Sequence, residues 1–402
     1  MKNRFAKAFF AAILIIVLVV GSAIAILKHD GKQAVPTVGE IVQTEKDKNN
    51  KNEAKTENAT VSVDFLSVGD NLIHDGIYEQ ANKRAGGNGY DFSYCYENIA
   101  DDVKNADIAT INQETIISSS NEPSGYPLFN SPHEVGDEIA KIGFDVISLA
   151  NNHMLDQGAK GLKEAIDYWD SVNGVTRTGA YKNREDLNRV EYVEKNGLKI
   201  GLVAATQYTN GLYLPSGSEL EIVYTSEEDI IESKIKAAKA QCDMVLVNVH
   251  WGNEYQTEPT QEQRNLAKKM AEWGADVIIG HHPHVLQPVE FIEKSDGTRT
   301  LIVYSLGNFI SQQNTPLRVL GGMLKYRVTK DKATDSLTID NVSFVPIVTH
   351  YVRGSDDVKI YKLSQYTDSL ASRQASRLKC DSLSVNYFEN ELSKIIDEQF
   401  LK

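Results

Sequence analysis

Six times in this chain a short run of Val, Ile and Leu stops abruptly in Gly, Asn, Asp, Glu or His. The segments are 61–71 (VSVDFLSVGDN), 107–114 (DIATINQE), 144–153 (FDVISLANNH), 243–252 (DMVLVNVHWG), 276–284 (DVIIGHHPH) and 301–309 (LIVYSLGNF). Apolar runs of this length, rich in β-branched side chains, read as buried strands. Between them, stretches such as 158–172, 227–241 and 261–273 repeat apolar residues every three or four positions, as amphipathic helices do. Strand alternating with helix specifies an α/β sheet covered by helices. Asn196-Gly197 and Asp296-Gly297 each sit between two strand-like runs and signal hairpins, so mixed pairing or a second sheet is expected. In such sheets ligands bind beyond the carboxyl ends of the strands. All six polar clusters fall there.

The clusters collect the chemistry of the chain. Five of its nine His (His153, His250, His281, His282 and His284) share these ends with Asp70, Glu114, Asn152 and Glu254. Imidazole with carboxylate and amide oxygen suits Zn²⁺, Mn²⁺ or Fe²⁺ better than Ca²⁺, which takes oxygen ligands only. In an extended strand end, alternate residues point the same way, so His282 and His284 are expected to face one ion across Pro283. Each cluster also has a plain structural reading. Gly69-Asp70 would make an ordinary turn, Asn151-Asn152-His153 an Asx-type cap for the helix after Gly158, and His250-Trp251-Gly252 a packed aromatic corner. Three His in four residues have little such use. No phosphate-binding loop, dinucleotide fingerprint or serine elbow is present.

The formal net charge is −13, and it averages unlike parts. Residues 1–7 carry Lys2, Arg4 and Lys7; residues 8–27 carry no charge; residues 28–60 balance six Lys against six acidic residues. The remainder therefore holds −13 − 3 = −16. A basic tip before a 20-residue apolar run is expected to be a single-pass signal-anchor, with the N-terminus cytoplasmic and the following chain extracellular. Ala23-Ile24-Ala25 also offers the pattern of a signal-peptide cleavage site. The stretch 28–60 reads as a flexible tether, 61–350 as the main domain and 351–402 as a C-terminal extension. So acidic a body is not expected to bind nucleic acid. Cys95, Cys242 and Cys380 are too few and too scattered for a disulfide scaffold, and one bridged pair or none both remain open. His350 is expected to be solvated.

The clusters, in this order, resemble the bacterial capsule-synthesis CapA family, also called the poly-γ-glutamate synthesis protein PgsA family. The residues that carry the likeness are Val68-Gly69-Asp70, Asn112-Gln113-Glu114, Ala150-Asn151-Asn152-His153 with Asp156 and Gly158, His250 to Tyr255, Gly280 to Val285 and Ser305 to Phe309. That family is similar to the calcineurin-like metallophosphoesterases. The resemblance implies an α/β sandwich of two mixed sheets flanked by helices, and one or two divalent metal ions. It implies Asp70, Glu114, Asn152, His250, His282 and His284 as metal ligands, and His153 as the residue that protonates a leaving oxygen. Asp156 and Glu254 are implied as groups that orient the histidines. The usual Asp-x-His of the phosphoesterases is replaced by Asp70-Asn71-Leu72, and Gly-Asp-x-x-Asp by Asn112-Gln113-Glu114; His74 is at the wrong spacing. The implied role is in making or exporting an anionic surface polymer alongside other membrane subunits, with that polymer or a phosphoester as substrate. A non-catalytic scaffold subunit and an envelope metallophosphodiesterase are the alternatives.

Overall fold

The computed structural model describes residues 60–352 and 358–401. The apolar run 8–27 and the tether up to residue 59 lie outside the described residues. Among the described residues no helix is long and apolar enough to cross a membrane.

Among the described residues fourteen strands build two mixed sheets. In chain order they are β1 (Thr60–Asn71), β2 (Ile108–Asn112), β3 (Val146–Ser148), β4 (Thr176–Thr178), β5 (Glu191–Lys195), β6 (Leu198–Thr206), β7 (Met244–His250), β8 (Val277–His281), β9 (Val289–Glu293), β10 (Arg299–Val303), β11 (Asn308–Ile310), β12 (Leu320–Asp331), β13 (Leu337–His350) and β14 (Lys359–Lys362). The first sheet runs β14-β13-β12-β1-β2-β3-β4, with β11 also paired to β1. The second runs β5-β6-β7-β8-β10-β9. In the first sheet β1, β2, β3 and β4 are parallel and β12, β13 and β14 continue it antiparallel; in the second β6, β7, β8 and β10 are parallel, with antiparallel β5 and β9 at the edges. Both hairpins form where the Asn-Gly and Asp-Gly pairs stand. Asn196 (φ 54) and Gly197 (φ 80) are both left-handed, as the tight turn between β5 and β6 requires.

All six expected strands exist, but the last is divided. Residues 301–303 belong to the second sheet and 308–310 to the first, so one apolar run crosses between sheets. The left-handed Gly307 (φ 64) turns the chain at the crossing.

Strand parity separates two cores. Ile200, Leu202, Met244, Leu246, Val277, Ile279, Leu301 and Val303 join the cluster that holds Val63, Phe65, Ile111 and Val328 of the first sheet. Their neighbours Val203, Val245, Val247, Ile278 and Ile302 pack instead with Ile231 and Ile235 of the helix Glu228–Gln241 and with Leu266 and Met270 of the helix Gln261–Trp273. Along β7 the inward positions 244 and 246 continue to Asn248 and His250. Along β8 the positions 277 and 279 continue to His281. The two-residue period that fills the core thus aims these polar side chains between the sheets.

The segment after residue 350 adds β14 to the edge of the first sheet, and Leu363, Phe388, Leu392 and Phe400 enter the main core. His350, expected to be solvated, is instead fully buried at the end of β13, with Nδ1 2.8 Å from the Tyr366 hydroxyl. The extension covers it. Cys95, Cys242 and Cys380 are unbridged.

Glu191, at the start of β5, is buried against Thr178 Oγ1 at 2.9 Å and lies 4.0 Å from Arg177. Burial raises its carboxyl from 4.5 to about 7, opposed by Lys234, Thr178 and Arg177. The folded chain keeps this proton after the unfolded chain has lost it, so stability falls as pH rises from 4.5 to 7 and is level above. The decline from this one group is about 3 kcal/mol. Urea unfolding of Glu191→Gln across that range should lack it; a variant with the wild-type slope would refute the assignment.

Candidate metal centre

Asp70 ties the two sheets together at the carboxyl end of β1. The preceding residue must be small, because a Cβ on Gly69 would collide with the carbonyl oxygen of Gly307. That same oxygen accepts the Asp70 N–H at 3.0 Å. The buried carboxylate then collects partners from both sheets. Asn112 Nδ2 donates to Oδ1 at 2.8 Å, and the His282 backbone N–H donates to Oδ2 at 3.2 Å. His281 Nδ1 and His284 Nδ1 lie 3.3 and 3.4 Å from its oxygens.

Glu114 sits two residues beyond β2 and is fully buried, yet neither carboxylate oxygen has a hydrogen-bond partner. Its Oε1 is 3.7 Å from both His250 Nε2 and His284 Nε2. Glu114, His282 and His284 each present a ligand atom, all within 4.8 Å of one another. A buried carboxylate without partners is costly unless it binds a proton or a cation. An orphaned carboxylate facing two imidazoles therefore fits a divalent ion, and the mixed nitrogen and oxygen donors fit a transition metal.

The two His converge by a route other than strand alternation. His282 (φ 99) and His284 (φ 57) are both left-handed, so the loop after β8 curls rather than extends. Such backbone costs about 1–3 kcal/mol per residue and persists where surrounding contacts enforce it. The contacts here are Asp70 on the His282 N–H, the Tyr208 hydroxyl on His282 Nε2, and Asn308 Oδ1 at 3.0 Å from His284 Nδ1.

Burial drives His250 well below its ordinary pKa, and His282 to about 3. Burial alone would raise Asp70, but His281 and His284 hold it well below the usual carboxylate range. Burial pushes Glu114 the other way, well above it. His284, which burial would lower, is raised to about 9 by Glu114 and Asp70.

The sequence matches the family described as bacterial capsule synthesis protein PGA_cap over residues 64–313. The chain belongs to this family. It is 29% identical over 282 residues to a capsule biosynthesis protein CapA of Bacillus anthracis, covering 68% of this chain and 65% of that one. It is 32% identical over 190 residues to a PGA biosynthesis protein CapA of Bacillus subtilis (strain 168), covering 47% and 48%. The chain thus spans less than two thirds of the length of these curated relatives. Among solved structures, a novel phosphatase from Mycoplasma pneumoniae superposes with a TM-score of 0.43 at 15% identity, over 71% of this chain and 94% of that one. A putative 5′-nucleotidase from Staphylococcus aureus gives 0.44 at 15%, over 73% and 56%.

The capsule-family residues named from the sequence do not all occupy one place. Asp70, Glu114, His250, His282 and His284 are brought together. Asn152 joins them through its Oδ1, 2.8 Å from His250 Nε2. His153 stands one step out, its Nδ1 2.8 Å from Asp156 Oδ2 and its ring edge-on to Phe129. Asp156 is buried and also accepts the Phe129 N–H at 2.8 Å. Glu254 is exposed and lines a cleft of about 370 Å³ that His153 and His284 also line. Of the plainer readings, the aromatic corner holds, with Trp251 packed beside Tyr304; Asn151 Oδ1 accepts the His153 N–H at 3.1 Å, a local turn, but the helix Gly158–Ser171 follows Gln157 without a side-chain cap.

Asn112, His281, Asn308 and Tyr208 touch the centre although sequence reasoning did not assign them a role. Asn112, His281 and Asn308 lie inside the quoted motifs. Tyr208 follows β6, whose run LKIGLVAAT also ends in a polar cluster, Gln207-Tyr208-Thr209-Asn210. That seventh strand end was the available signal. His74, by contrast, is engaged by the backbone: its Nδ1 lies 3.1 Å from the Leu72 carbonyl and accepts the Gln312 N–H at 3.3 Å.

Proposed function

We propose that this chain is a membrane-anchored, extracellular CapA-like protein serving capsule or poly-γ-glutamate biosynthesis or export, and that its strand ends form a metal-dependent hydrolase-type site. The observation that carries the site is the buried, unpartnered Glu114 carboxylate facing His282 and His284. The named roles of the two Bacillus relatives support the polymer context. Lys2, Arg4 and Lys7 ahead of the apolar run 8–27 support the anchor. In this reading the partners are other membrane subunits of a polymer synthase or export complex, and the substrate is an anionic polymer or a phosphoester.

Glu114, His282 and His284 would hold the ion (Mn, Zn or Fe), with Asp70, Asn152 and His250 beside them. A bound ion of this kind supplies Lewis-acid polarisation of the scissile bond and lowers the pKa of water. Asp156 engages His153 Nδ1, which leaves Nε2 as the nitrogen that carries a proton to a leaving oxygen. His284 and His153 line the same cleft, so a substrate seated there meets both.

Full-length protein in detergent should contain a transition metal by elemental analysis. It should also hydrolyse at least one of a phosphodiester, a simple amide and a γ-glutamyl polymer. His153→Ala should lower kcat about 100-fold or more with metal content unchanged. Failure to bind any transition metal would end the reading. A second reading, a scaffold that keeps the site for binding, is favoured by Leu72, a buried aliphatic where the resemblance wants a histidine. It is recognised by bound metal without turnover of any of the three substrates.

A further inference from the structure

The cleft beside the candidate centre has a built cation. Arg318 is the one permanently charged cation among the described residues that line it. Its guanidinium carbon lies 3.2 Å from the centroid of the Tyr255 ring, so the planar group rests flat on an aromatic face. Its backbone is fixed to the centre. The Arg318 carbonyl accepts from Asn308 Nδ2 at 2.8 Å, while Asn308 Oδ1 stands 3.0 Å from His284 Nδ1. One carboxamide thereby sets the spacing between Arg318 and His284.

Among the described residues no carboxylate forms an ion pair with Arg318. Glu254 is the acidic residue of the lining, and it too forms no ion pair with Arg318. A body carrying −16 overall has carboxylates to spare, yet this guanidinium is left for something else. A guanidinium held flat on a ring keeps its edge donors in a fixed fork that matches a carboxylate or phosphate.

We propose that Arg318 is a specificity-determining residue that reads an oxyanion, carboxylate or phosphate, on the substrate beside the candidate metal centre. This rests on the proposed function above and names the chemistry that the cleft selects.

The test uses full-length protein loaded with Mn²⁺, titrated calorimetrically with inorganic phosphate and with glutarate. Arg318→Gln should weaken binding of at least one anion about 10- to 100-fold, the range of a charged hydrogen-bonding partner. Arg318→Lys should recover part of the loss, because it keeps the charge without the fork. Arg299→Gln should change nothing; that arginine lies over Phe291 at 4.4 Å and outside the cleft. A loss confined to glutarate assigns a carboxylate, and one confined to phosphate assigns a phosphoester; either supports the proposal. Equal affinities in wild type and Arg318→Gln, or no binding of either anion by wild type, would overturn it. The Mn²⁺-induced rise in Tm is measured on every sample. Its absence from wild type defeats the metal-site reading. Its presence in both proteins with unaltered anion affinity defeats only the role of Arg318.

Discussion

Glu114→Gln is expected to move stability in opposite directions with and without metal. The wild-type carboxylate is fully buried and neither oxygen is hydrogen-bonded. In metal-free protein that is a penalty, and the neutral isostere should relieve about 2 kcal/mol of it, raising Tm. In metal-loaded protein the same carboxylate would serve as the anionic ligand beside His282 and His284. Wild type should gain about 4 kcal/mol from an ion present at a thousand times its Kd, whereas Glu114→Gln should gain little. Thermal melts with and without Mn²⁺ or Zn²⁺ read both signs in one experiment. A His282→Ala, His284→Ala double variant should lose the metal increment without the metal-free gain, because it leaves the carboxylate buried. An undiminished increment in Glu114→Gln would remove this residue from the centre.

Phe309→Ala should cost about 3–5 kcal/mol, enough to unfold a domain of ordinary stability under mild denaturant. Phe309 is fully buried in β11, stacked on Tyr96 with centroids 5.8 Å apart and edge-on to Phe144 at the same distance. Truncation leaves a cavity among rings that cannot collapse into it. The neighbouring Asn308 joins His284 to the Arg318 backbone, so the cavity lies directly behind the candidate centre. Phe309→Leu fills more of the space and should cost less than half as much. Chemical denaturation of the three proteins checks the order. A Phe309→Ala midpoint within error of wild type would contradict the packing described for β11.

The strands were legible because a buried parallel strand must be apolar along its length and stops being so where it leaves the sheet. Segments such as 243–252 and 276–284 announce both facts at once. The convergence of Asp70, Glu114 and the three site histidines was legible from the same ends. The partition into two sheets was not. Segment 301–309 reads as a single strand, and only Gly307, turning left-handed against β1, divides it. The left-handed backbone of His282 and His284 was also invisible, since contacts from Asp70, Tyr208 and Asn308 impose it against local preference. His350 looked solvated because nothing near it in sequence shows that Tyr366 folds back over it.

The crossing of residues 301–310 from one sheet to the other bears on how the protein would be made. Asp70, Glu114, His250, His282, His284 and Asn308 meet only after the last of them has been synthesised and β11 has docked on β1. A nascent chain displays loose ligands but no cage, and the intrinsic affinity order of divalent ions favours copper and zinc over manganese for loose ligands. The identity of the resident ion would then follow the ion supply of whichever compartment hosts the final docking step, rather than the donor set alone.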